Sequence, residues 1–271
     1  MKDGIVKFRD SALLKSEADI FKEIEAEVGL KSTSRPDAFD LFVPLQFIAE
    51  DYRVKHITLH KYPFPNFPEA ISKLKFIETI NFTSTELVEI PDSIGKFKNL
   101  KTFAVDNGKL SSLPPSISDL KSLKTLMLQD NKFTEFPEVI TELESLEYLY
   151  LSSNHLKTLP DTFGNLKGLK ELNHSRNEIK KLPDSFGELY LLENVILSMN
   201  QLTELPSSIG KLSSLKSLWL QENKLELLPE SILNIKTLED LQIDGNPIHD
   251  TPSIEVKKIL IKLKNRGIRV D

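Results

Sequence analysis

An apolar residue, a variable residue and a second apolar residue recur every 23 positions along most of the chain. The copies are evenly spaced from Val54 to Pro252, without insertions. A period of this size is typical of a solenoid, in which each repeat packs against its neighbours and one long surface stays open. The sequence therefore predicts one elongated repeat array and favours binding over catalysis. The nine apolar pairs are Ile57/Leu59, Ile80/Phe82, Phe103/Val105, Leu126/Leu128, Leu149/Leu151, Leu172/His174, Val195/Leu197, Leu218/Leu220 and Leu241/Ile243.

The positions of one repeat predict a strand followed by a return segment. Leu126 and Leu128 alternate with period two, so both point to the same, inward side of a strand. Apolar residues at three-residue spacing, Ile117, Leu120 and Leu123, suit a 3₁₀ or helical return. A proline precedes each return, where its fixed φ and missing N–H are tolerated. These prolines are Pro68, Pro91, Pro114, Pro137, Pro160, Pro183, Pro206, Pro229 and Pro252.

A fixed slot follows three residues after the second apolar position. It holds asparagine in the last six copies, from Asn131 to Asn246, but Tyr62, Thr85 and Gly108 in the first three. A short amide bonds readily to nearby main chain, so we expect the stacked copies to form an asparagine ladder. The ladder should be interrupted in the first copies, where the hydroxyl of Thr85 is a candidate substitute.

The consensus Leu-Pro-x-x-Ile-x-x-Leu-x-x-Leu-x-x-Leu-x-Leu-x-x-Asn-x-Leu resembles that of leucine-rich repeat (LRR) proteins. The openings Ile90-Pro91-Asp-Ser-Ile94-Gly95 and Leu205-Pro206-Ser-Ser-Ile209-Gly210 resemble the Ras-group intracellular subclass, which is itself similar to repeat proteins of bacteria. The resemblance covers about three quarters of the chain. It implies an α/β repeat solenoid, a horseshoe with a concave parallel β-sheet and a 3₁₀ or helical convex side. It identifies no partner.

The two ends of such an array need covers, so we expect helical caps over residues 1–53 and 251–271 around repeats spanning 54–250. Asp10 or Ser11 should begin an N-terminal helix that ends near Gly29. Lys31 to Pro36 is predicted to be a loop. The helix would carry Leu13, Leu14, Ile20, Phe21, Ile24 and Val28, followed by an apolar block of Phe39, Leu41, Phe42, Leu45, Phe47 and Ile48. The alternative for this segment is a separate partner-binding element.

Thr251 and Pro252 suit the opening of a C-terminal helix, whose apolar stripe would be Val256, Ile259, Leu260 and Leu263. Its lysine-rich opposite face is interpreted as a solvated surface, with binding to an acidic partner as the alternative.

His174 occupies an inward leucine slot. We interpret it as a buried neutral histidine with one backbone hydrogen-bond partner, because buried polar groups usually find partners. The alternative is a pH-sensitive weak point, since charging a buried imidazole is costly.

The sequence offers no constellation for catalysis, metal or cofactor binding. The chain has no cysteine, and a formal net charge of −5 with mixed signs argues against nucleic-acid binding. His56 and His60 share a strand face but lie ~13 Å apart, too far to chelate one metal ion. No apolar run reaches membrane-spanning length, and no signal peptide is visible. We expect a cytoplasmic monomer by default, or a secreted or surface-exposed protein if a signal sequence has been removed.

The candidate binding surface is the outward face of the predicted sheet. Aromatic and long apolar side chains stand there without cover from their own repeat, and Trp219 is the only tryptophan. Tyrosine and tryptophan dominate binding hot spots, and exposed apolar patches often mark interaction sites. The alternative is that scattered apolar residues merely decorate an exposed sheet. The candidate partner-binding residues are Met127, Tyr148, Tyr150, Ile196, Met199 and Trp219.

These patterns favour a non-enzymatic scaffold that binds a protein partner through a rigid, preorganised face. One alternative is an exported bacterial effector or adhesin that binds a host protein or glycan, and hence a possible virulence factor. Another is the repeat arm of a larger multidomain enzyme.

Overall fold

The computed structural model of the chain describes residues 4–9, 11–34, 44–61 and 65–271. These residues form two compact units, Met1–Lys132 and Phe133–Asp271. The predicted helix start at Asp10, the slot residue Tyr62 and the apolar residues Phe39, Leu41 and Phe42 lie outside the described residues.

The N-terminal unit begins with a hairpin and a helix. β1 (Ile5–Phe8) pairs antiparallel with β2 (Ser11–Leu14), and α1 (Lys15–Val28) follows. α1 ends at Gly29, whose φ of 64° lies in the left-handed region that favours glycine. The predicted helix start is therefore corrected, because Leu13 and Leu14 belong to β2, where Leu13 pairs with Val6 and Leu14 with Ile5.

An antiparallel strand leads into the first repeat. β3 (Thr33–Ser34) pairs parallel with β4 (Leu45–Glu50), and β4 pairs antiparallel with β5 (Arg53–His60), the strand of the first repeat. The predicted loop from Lys31 to Pro36 thus contains a short strand. Phe8, Phe21 and Phe47 form an aromatic cluster, in which the ring centroids of Phe21 and Phe47 are 4.4 Å apart.

The remaining strands of the N-terminal unit are parallel and in register. They are β6 (Thr79–Thr83), β7 (Thr102–Asp106) and β8 (Thr125–Met127). A 3₁₀ turn precedes each of them, at Glu69–Lys73, Asp92–Lys96 and Pro115–Asp119.

The C-terminal unit repeats this pattern with shorter strands. Its parallel strands are β9 (Tyr148–Tyr150), β10 (Glu171–Asn173), β11 (Asn194–Ile196), β12 (Ser217–Trp219) and β13 (Asp240–Gln242). Its 3₁₀ turns are Glu138–Glu142, Asp161–Asn165, Asp184–Glu188, Ser207–Lys211 and Glu230–Asn234.

Two helices and a strand close the C-terminal unit. α2 (Pro247–Asp250) and α3 (Ile254–Asn265) are followed by β14 (Arg269–Val270), which pairs parallel with β13. The hydroxyl of Ser253 accepts a hydrogen bond from the N–H of Val256 at 3.2 Å, so α3 opens after Ser253 rather than at Thr251–Pro252. Val256, Ile259 and Leu263 are buried as predicted, whereas Leu260 is only half-buried.

The predicted α/β repeat solenoid is confirmed within each unit. The two inward residues of each repeat are buried, whereas the residue between them is buried or half-buried except at Trp219, which is exposed. The 3₁₀ turns on the opposite side stack through small residues. A Cβ atom added to Gly164 would lie 2.6 Å from the carbonyl oxygen of Ser185 in the next repeat, which leaves no room for a side chain.

The predicted asparagine ladder is also present. The Nδ2 of Asn200 donates to the carbonyls of His174 and Leu197, at 2.9 and 3.0 Å, and its Oδ1 accepts from the N–H of Ile179 at 3.0 Å. Asn177, Asn223 and Asn246 bond in the same way.

The first slots depart from the ladder in two ways. The hydroxyl of Thr85 is buried and has no hydrogen-bond partner among the described residues, so it does not substitute for the amide. A steric constraint explains the glycine at position 108. A Cβ atom on Gly108 would lie 2.8 Å from the Oδ1 of Asn131, the first asparagine of the ladder.

His174 is fully buried, as predicted. Its ring stacks on Phe136 at a centroid distance of 6.1 Å and meets Phe163 edge to face at 6.0 Å. Neither ring nitrogen has a hydrogen-bond partner of regular geometry in the part of the chain that is described, so the predicted backbone partner is reduced to a weak interaction with the backbone of Asn173. Burial lowers the pKa of His174 to about 3, against a smaller raising effect of the Asn173 backbone, so the imidazole is neutral near pH 7.

Candidate functional site: the strand face of the C-terminal unit

The strand face of the C-terminal unit is the set of outward side chains on β9 to β13 and the residues just after these strands. The inward leucines between them are buried, and this alternation gives the face three rows. The leading row is Tyr148, Glu171, Asn194, Ser217 and Asp240, the central row Tyr150, Asn173, Ile196, Trp219 and Gln242, and the trailing row Ser152, Ser175, Ser198, Gln221 and Asp244.

Four of the six predicted binding residues belong to this face. Trp219 is 39% exposed, and Tyr148, Tyr150 and Ile196 are half-buried. Met127 lies in the N-terminal unit, on β8, and is also half-buried. The structure therefore shows the predicted apolar side chains at the surface, although Trp219 alone of those on the face is strongly exposed.

Met199, the sixth residue, follows β11 and has a left-handed backbone, with φ of 60° and 39% of its surface exposed. The same position has a positive φ in the other repeats of the unit, at Ser153, Arg176, Glu222 and Gly245. Its conformation is thus a property of the repeat, and its exposed thioether side chain borders the trailing row.

Tyr150 is fixed by an acid on the neighbouring strand. Its hydroxyl donates a hydrogen bond of 3.0 Å to the Oε1 of Glu171, which stands in the leading row of β10. Burial, and then this carboxylate, raise the pKa of Tyr150 to about 12, so the phenol keeps its proton at any physiological pH. The ring is consequently held at one place on the face.

Trp219 is fixed in the same way. Its Nε1 donates to the Oδ2 of Asp240 at 2.9 Å, and the other oxygen of Asp240 accepts from the Nε2 of Gln242 at 2.6 Å. Arg269 of β14 lies beside this acid, with its Nε 4.0 Å from the Oδ1 of Asp240 and 2.7 Å from the Oδ2 of Asp271.

Polar side chains around the two aromatics are also paired with one another. The hydroxyl of Ser198 donates to the Oε1 of Gln221 at 2.6 Å, and the hydroxyl of Ser175 donates to the Oδ1 of Asn173 at 2.8 Å. Such bonds hold the side chains in place before a partner arrives, which reduces the entropy lost on binding.

Glu171 and Asp240 are the residues that the sequence reasoning did not single out. The signal was available, because each acid follows its aromatic partner by 21 positions, the separation that joins the central row of one strand to the leading row of the next. An acid in the leading row that follows an aromatic residue of the central row by 21 positions is thus the sequence signal for both pairs.

The described residues contain no group of three or more histidine, cysteine, aspartate and glutamate side chains arranged to hold a metal ion. None of the helices in that part of the chain is long and apolar enough to cross a membrane. The face presents aromatic rings, amides, hydroxyls and carboxylates.

Comparison with known proteins agrees with this architecture. A family model described as a leucine-rich repeat region matches residues 103–177. No curated protein matches the chain by sequence. Among solved structures, an LRR protein from Leptospira interrogans is 31% identical, with a TM-score of 0.59 over 79% of this chain and 65% of that one.

Two further structures share the fold. An internalin from Listeria monocytogenes is 17% identical, with a TM-score of 0.67 over 83% of this chain and 64% of that one. The leucine-rich repeat domain of the type III effector XopL is 23% identical, with a TM-score of 0.66 over 90% of this chain and 80% of that one.

The chain thus spans about two thirds of the length of the Leptospira and Listeria proteins. The period, the parallel strands, the asparagine ladder and these likenesses together show that the chain folds as a leucine-rich repeat solenoid.

Proposed function

We propose that this protein is a non-enzymatic interaction module that binds a protein partner through the strand face of its C-terminal unit. The observation that carries the proposal is Trp219, a large apolar side chain that stands 39% exposed on a regular strand and is held there by Asp240. The leucine-rich repeat fold is associated with protein–protein interaction, which supports this use of the face.

The mechanism rests on preorganisation. Tyr150 and Trp219 are oriented by hydrogen bonds to neighbouring strands, and both strands belong to a continuous parallel ladder within the unit. A partner that covers the two rings gains buried aromatic surface without first ordering a loop.

A second candidate function is that of an exported bacterial effector or adhesin that uses the same face on a host molecule. The internalin and type III effector structures favour it at the level of fold. Detection of the protein in the culture medium of its own source cells would support this candidate, and strict retention inside those cells would argue against it.

A quantitative pull-down tests the binding face. We expect a specific partner to be captured by the wild type from the source organism's lysate or from host extracts, and to be lost with Tyr150→Ser/Trp219→Ser. The matched control is Tyr190→Ser/Leu191→Ser, which removes two apolar residues that are 50% and 51% exposed in a return segment of the same unit.

Both double variants must first give the melting temperature of the wild type. Capture that survives Tyr150→Ser/Trp219→Ser but is lost with Tyr190→Ser/Leu191→Ser would place binding on the opposite side and contradict the proposal.

A further inference from the structure

Two aromatic–carboxylate pairs of identical arrangement stand on the strand face of the C-terminal unit. Tyr150 donates to Glu171 and Trp219 donates to Asp240, each across one strand step, with 21 residues between donor and acceptor. The two aromatics occupy the same row three repeats apart, as do the two acids. A ligand that uses one pair therefore meets the same chemistry again at the other.

The charge of the face defines what such a ligand must carry. Its fifteen row positions include three acids, Glu171, Asp240 and Asp244, and no lysine, arginine or histidine. Within the described residues, no lysine or arginine forms an ion pair with Glu171. A complementary partner is cationic, since an acidic one would meet like charge at Glu171 and Asp244 and at Asp240, which Arg269 neutralises only in part.

Each pair has the features of a site for a single cationic side chain. The aromatic group satisfies its polar hydrogen with one carboxylate oxygen, which leaves acceptor capacity on that carboxylate. A cation beside the ring is attracted both by the carboxylate and by the π face, an interaction that strengthens when water is partly excluded. Lysine and arginine are the protein side chains that fit this requirement.

The spacing between the pairs sets the spacing of the cations. Three strand steps of ~4.8 Å place the two pairs ~14 Å apart. An extended peptide rises ~3.3 Å per residue, so four residues span ~13 Å. An even spacing also keeps both cationic side chains on the same side of the peptide, because side chains of an extended chain point to opposite sides at successive residues.

We propose that the strand face binds an extended polypeptide segment that crosses the strands and carries lysine or arginine at positions i and i+4. One cation lies at Tyr150 and Glu171, and the other at Trp219 and Asp240. Ile196, in the central row between the two aromatics, contacts the intervening part of the peptide. This inference rests on the proposed use of the strand face for protein binding and names the chemistry of the partner.

The two pairs differ in strength because of Arg269. This residue already lies beside Asp240 and partly neutralises it, whereas Glu171 has no such neighbour among the described residues. The pair at Tyr150 and Glu171 is therefore the stronger cation site. Removing Arg269 should therefore strengthen cation binding at Trp219 and Asp240. Loss of a residue with a purely structural role would not produce such a gain of binding.

Fluorescence anisotropy with labelled serine–threonine peptides that carry two lysines tests the proposal. Peptides with lysines at i and i+4 should bind about tenfold more tightly than those at i and i+3 or i and i+5, whose second lysine points away. Binding should weaken with added salt. Equal binding of all spacings, equal binding of glutamate-substituted peptides, or no binding of any peptide would overturn the inference.

Charge-neutral isosteres locate the site. Glu171→Gln should weaken the i, i+4 peptide about tenfold, Asp240→Asn about threefold, and Arg269→Gln should tighten it about twofold. The matched control is Glu226→Gln, an exposed acid of the same unit away from the strand face, which should change nothing. Unchanged affinity in Glu171→Gln with a wild-type melting curve would also overturn the inference.

The outcome is separable from that of the proposed function. A protein partner that is lost with Tyr150→Ser/Trp219→Ser but is not displaced by the i, i+4 peptide would keep the strand face as a binding site and refute its cationic partner. Failure of the pull-down together with binding of the i, i+4 peptide that Glu171→Gln weakens would support the cationic peptide site and leave the proposed protein partner without support.

Discussion

Strand length separates the first three repeats of the N-terminal unit from the repeats of the C-terminal unit. In the N-terminal unit β5 is eight residues long, and β6 and β7 are five residues long, whereas β8 and all five strands from β9 to β13 are three residues long. The change coincides with the slot residue. Strands followed by Tyr62, Thr85 and Gly108 are long, and those followed by asparagine are short.

The amide of the slot residue bonds main-chain groups just beyond the short strands. In the C-terminal unit the carbonyl of Leu151, just beyond β9, accepts a hydrogen bond of 2.9 Å from the side chain of Asn177. In the N-terminal unit the slots after β6 and β7 hold Thr85 and Gly108, and the pairing of these strands continues to Thr83 and Asp106. The carbonyl of Val105 in β7 also accepts from the side chain of Asn131, at 2.7 Å. The slot asparagine thus accompanies the short strands, and its hydrogen bonds to main chain fix the turn that follows them.

The N-terminal unit is held by other means. The carboxylate of Glu17 in α1 accepts from the N–H of Val54 at 2.5 Å, and that of Glu27 accepts from the N–H of Ala70 at 3.2 Å. The helix thus satisfies backbone donors of β5 and of the first 3₁₀ turn. The comparison teaches that the first repeat, whose slot holds no asparagine, receives side-chain hydrogen bonds from α1.

Breaking the ladder should have the largest effect on stability. Asn200→Leu leaves the buried N–H of Ile179 without its partner. It also removes one of the two amide donors from the carbonyls of His174 and Leu197, which keep Asn177 and Asn223, and should cost about 3 kcal/mol. Urea unfolding followed by circular dichroism measures this loss. The matched control is Thr85→Val in the corresponding N-terminal slot, which removes a buried hydroxyl without a described partner and should leave stability equal or higher. Similar destabilisation by both variants would refute the assigned role of the amide.

Glycine-to-alanine substitutions in the 3₁₀ turns should cost less stability than loss of the ladder asparagine, and the cost should differ between the two units. An added Cβ at Gly164 would lie 2.6 Å from the carbonyl oxygen of Ser185, whereas at Gly95 of the N-terminal unit the distance to that of Ser116 is 2.9 Å. We expect Gly164→Ala to cost about 2 kcal/mol and Gly95→Ala about half of that, because overpacking against backbone cannot be relieved by a rotamer change. Thermal unfolding of the two variants measures which one loses more stability. A larger loss in Gly95→Ala than in Gly164→Ala would contradict the prediction.

The repeat itself could be predicted from the sequence because each position has one physical requirement that recurs unchanged. Strand residues, the ladder from Asn131 onward and the buried stripe of Val256, Ile259 and Leu263 all follow from periodicity. The hairpin of β1 and β2 could not be predicted in this way. Leu13 and Leu14 fit a helical spacing, but they form a strand because they pair with Val6 and Ile5. Such a short strand shows no hydrophobic period in the sequence that would reveal it.

The candidate site could be predicted only in part for a related reason. The exposed position of Trp219 follows from its place in a variable row, whereas its bond to Asp240 depends on neighbouring strands and on side-chain direction. His174 shows the same limit. Its burial follows from the leucine slot, but the absence of a partner among the described residues depends on Phe136 and Phe163, which lie far away in sequence.

Removing the buried imidazole should stabilise the C-terminal unit. We expect His174→Leu to raise the free energy of unfolding by about 1 to 2 kcal/mol at pH 7, because a polar group without a partner is replaced by an apolar one. The folded-state pKa of about 3 lies below the unfolded value of ~6.5, so the unfolded chain binds the proton first. Wild-type stability should therefore fall as the pH drops from about 6.5 towards 3, by up to ~1.4 kcal/mol per pH unit from this group. Denaturant unfolding across this pH range should show that the free energy of unfolding depends less on pH in His174→Leu than in the wild type. The same pH dependence in both proteins would contradict the lowered pKa of His174.

Asp106 in the N-terminal unit should respond in the opposite direction. Burial raises its pKa to about 6, against a hydrogen bond from the N–H of Gln129 that favours the charged form, and the nearby charge of Asp130 adds to the rise. A raised folded-state pKa means that the folded protein binds the proton first, so this contribution is fully present below the unfolded value of ~3.9 and is lost as the pH rises through about 6. Asp106→Asn should therefore stabilise the protein at pH 7 by roughly 1 kcal/mol, with little gain at pH 4. The exposed Asp130→Asn is the control and should give a smaller gain. Melting temperatures of both variants at pH 4 and pH 7 measure the difference. A gain from Asp106→Asn that is equal at the two pH values would show that its carboxylate does not titrate in this range, and the contrast with His174 would then be lost.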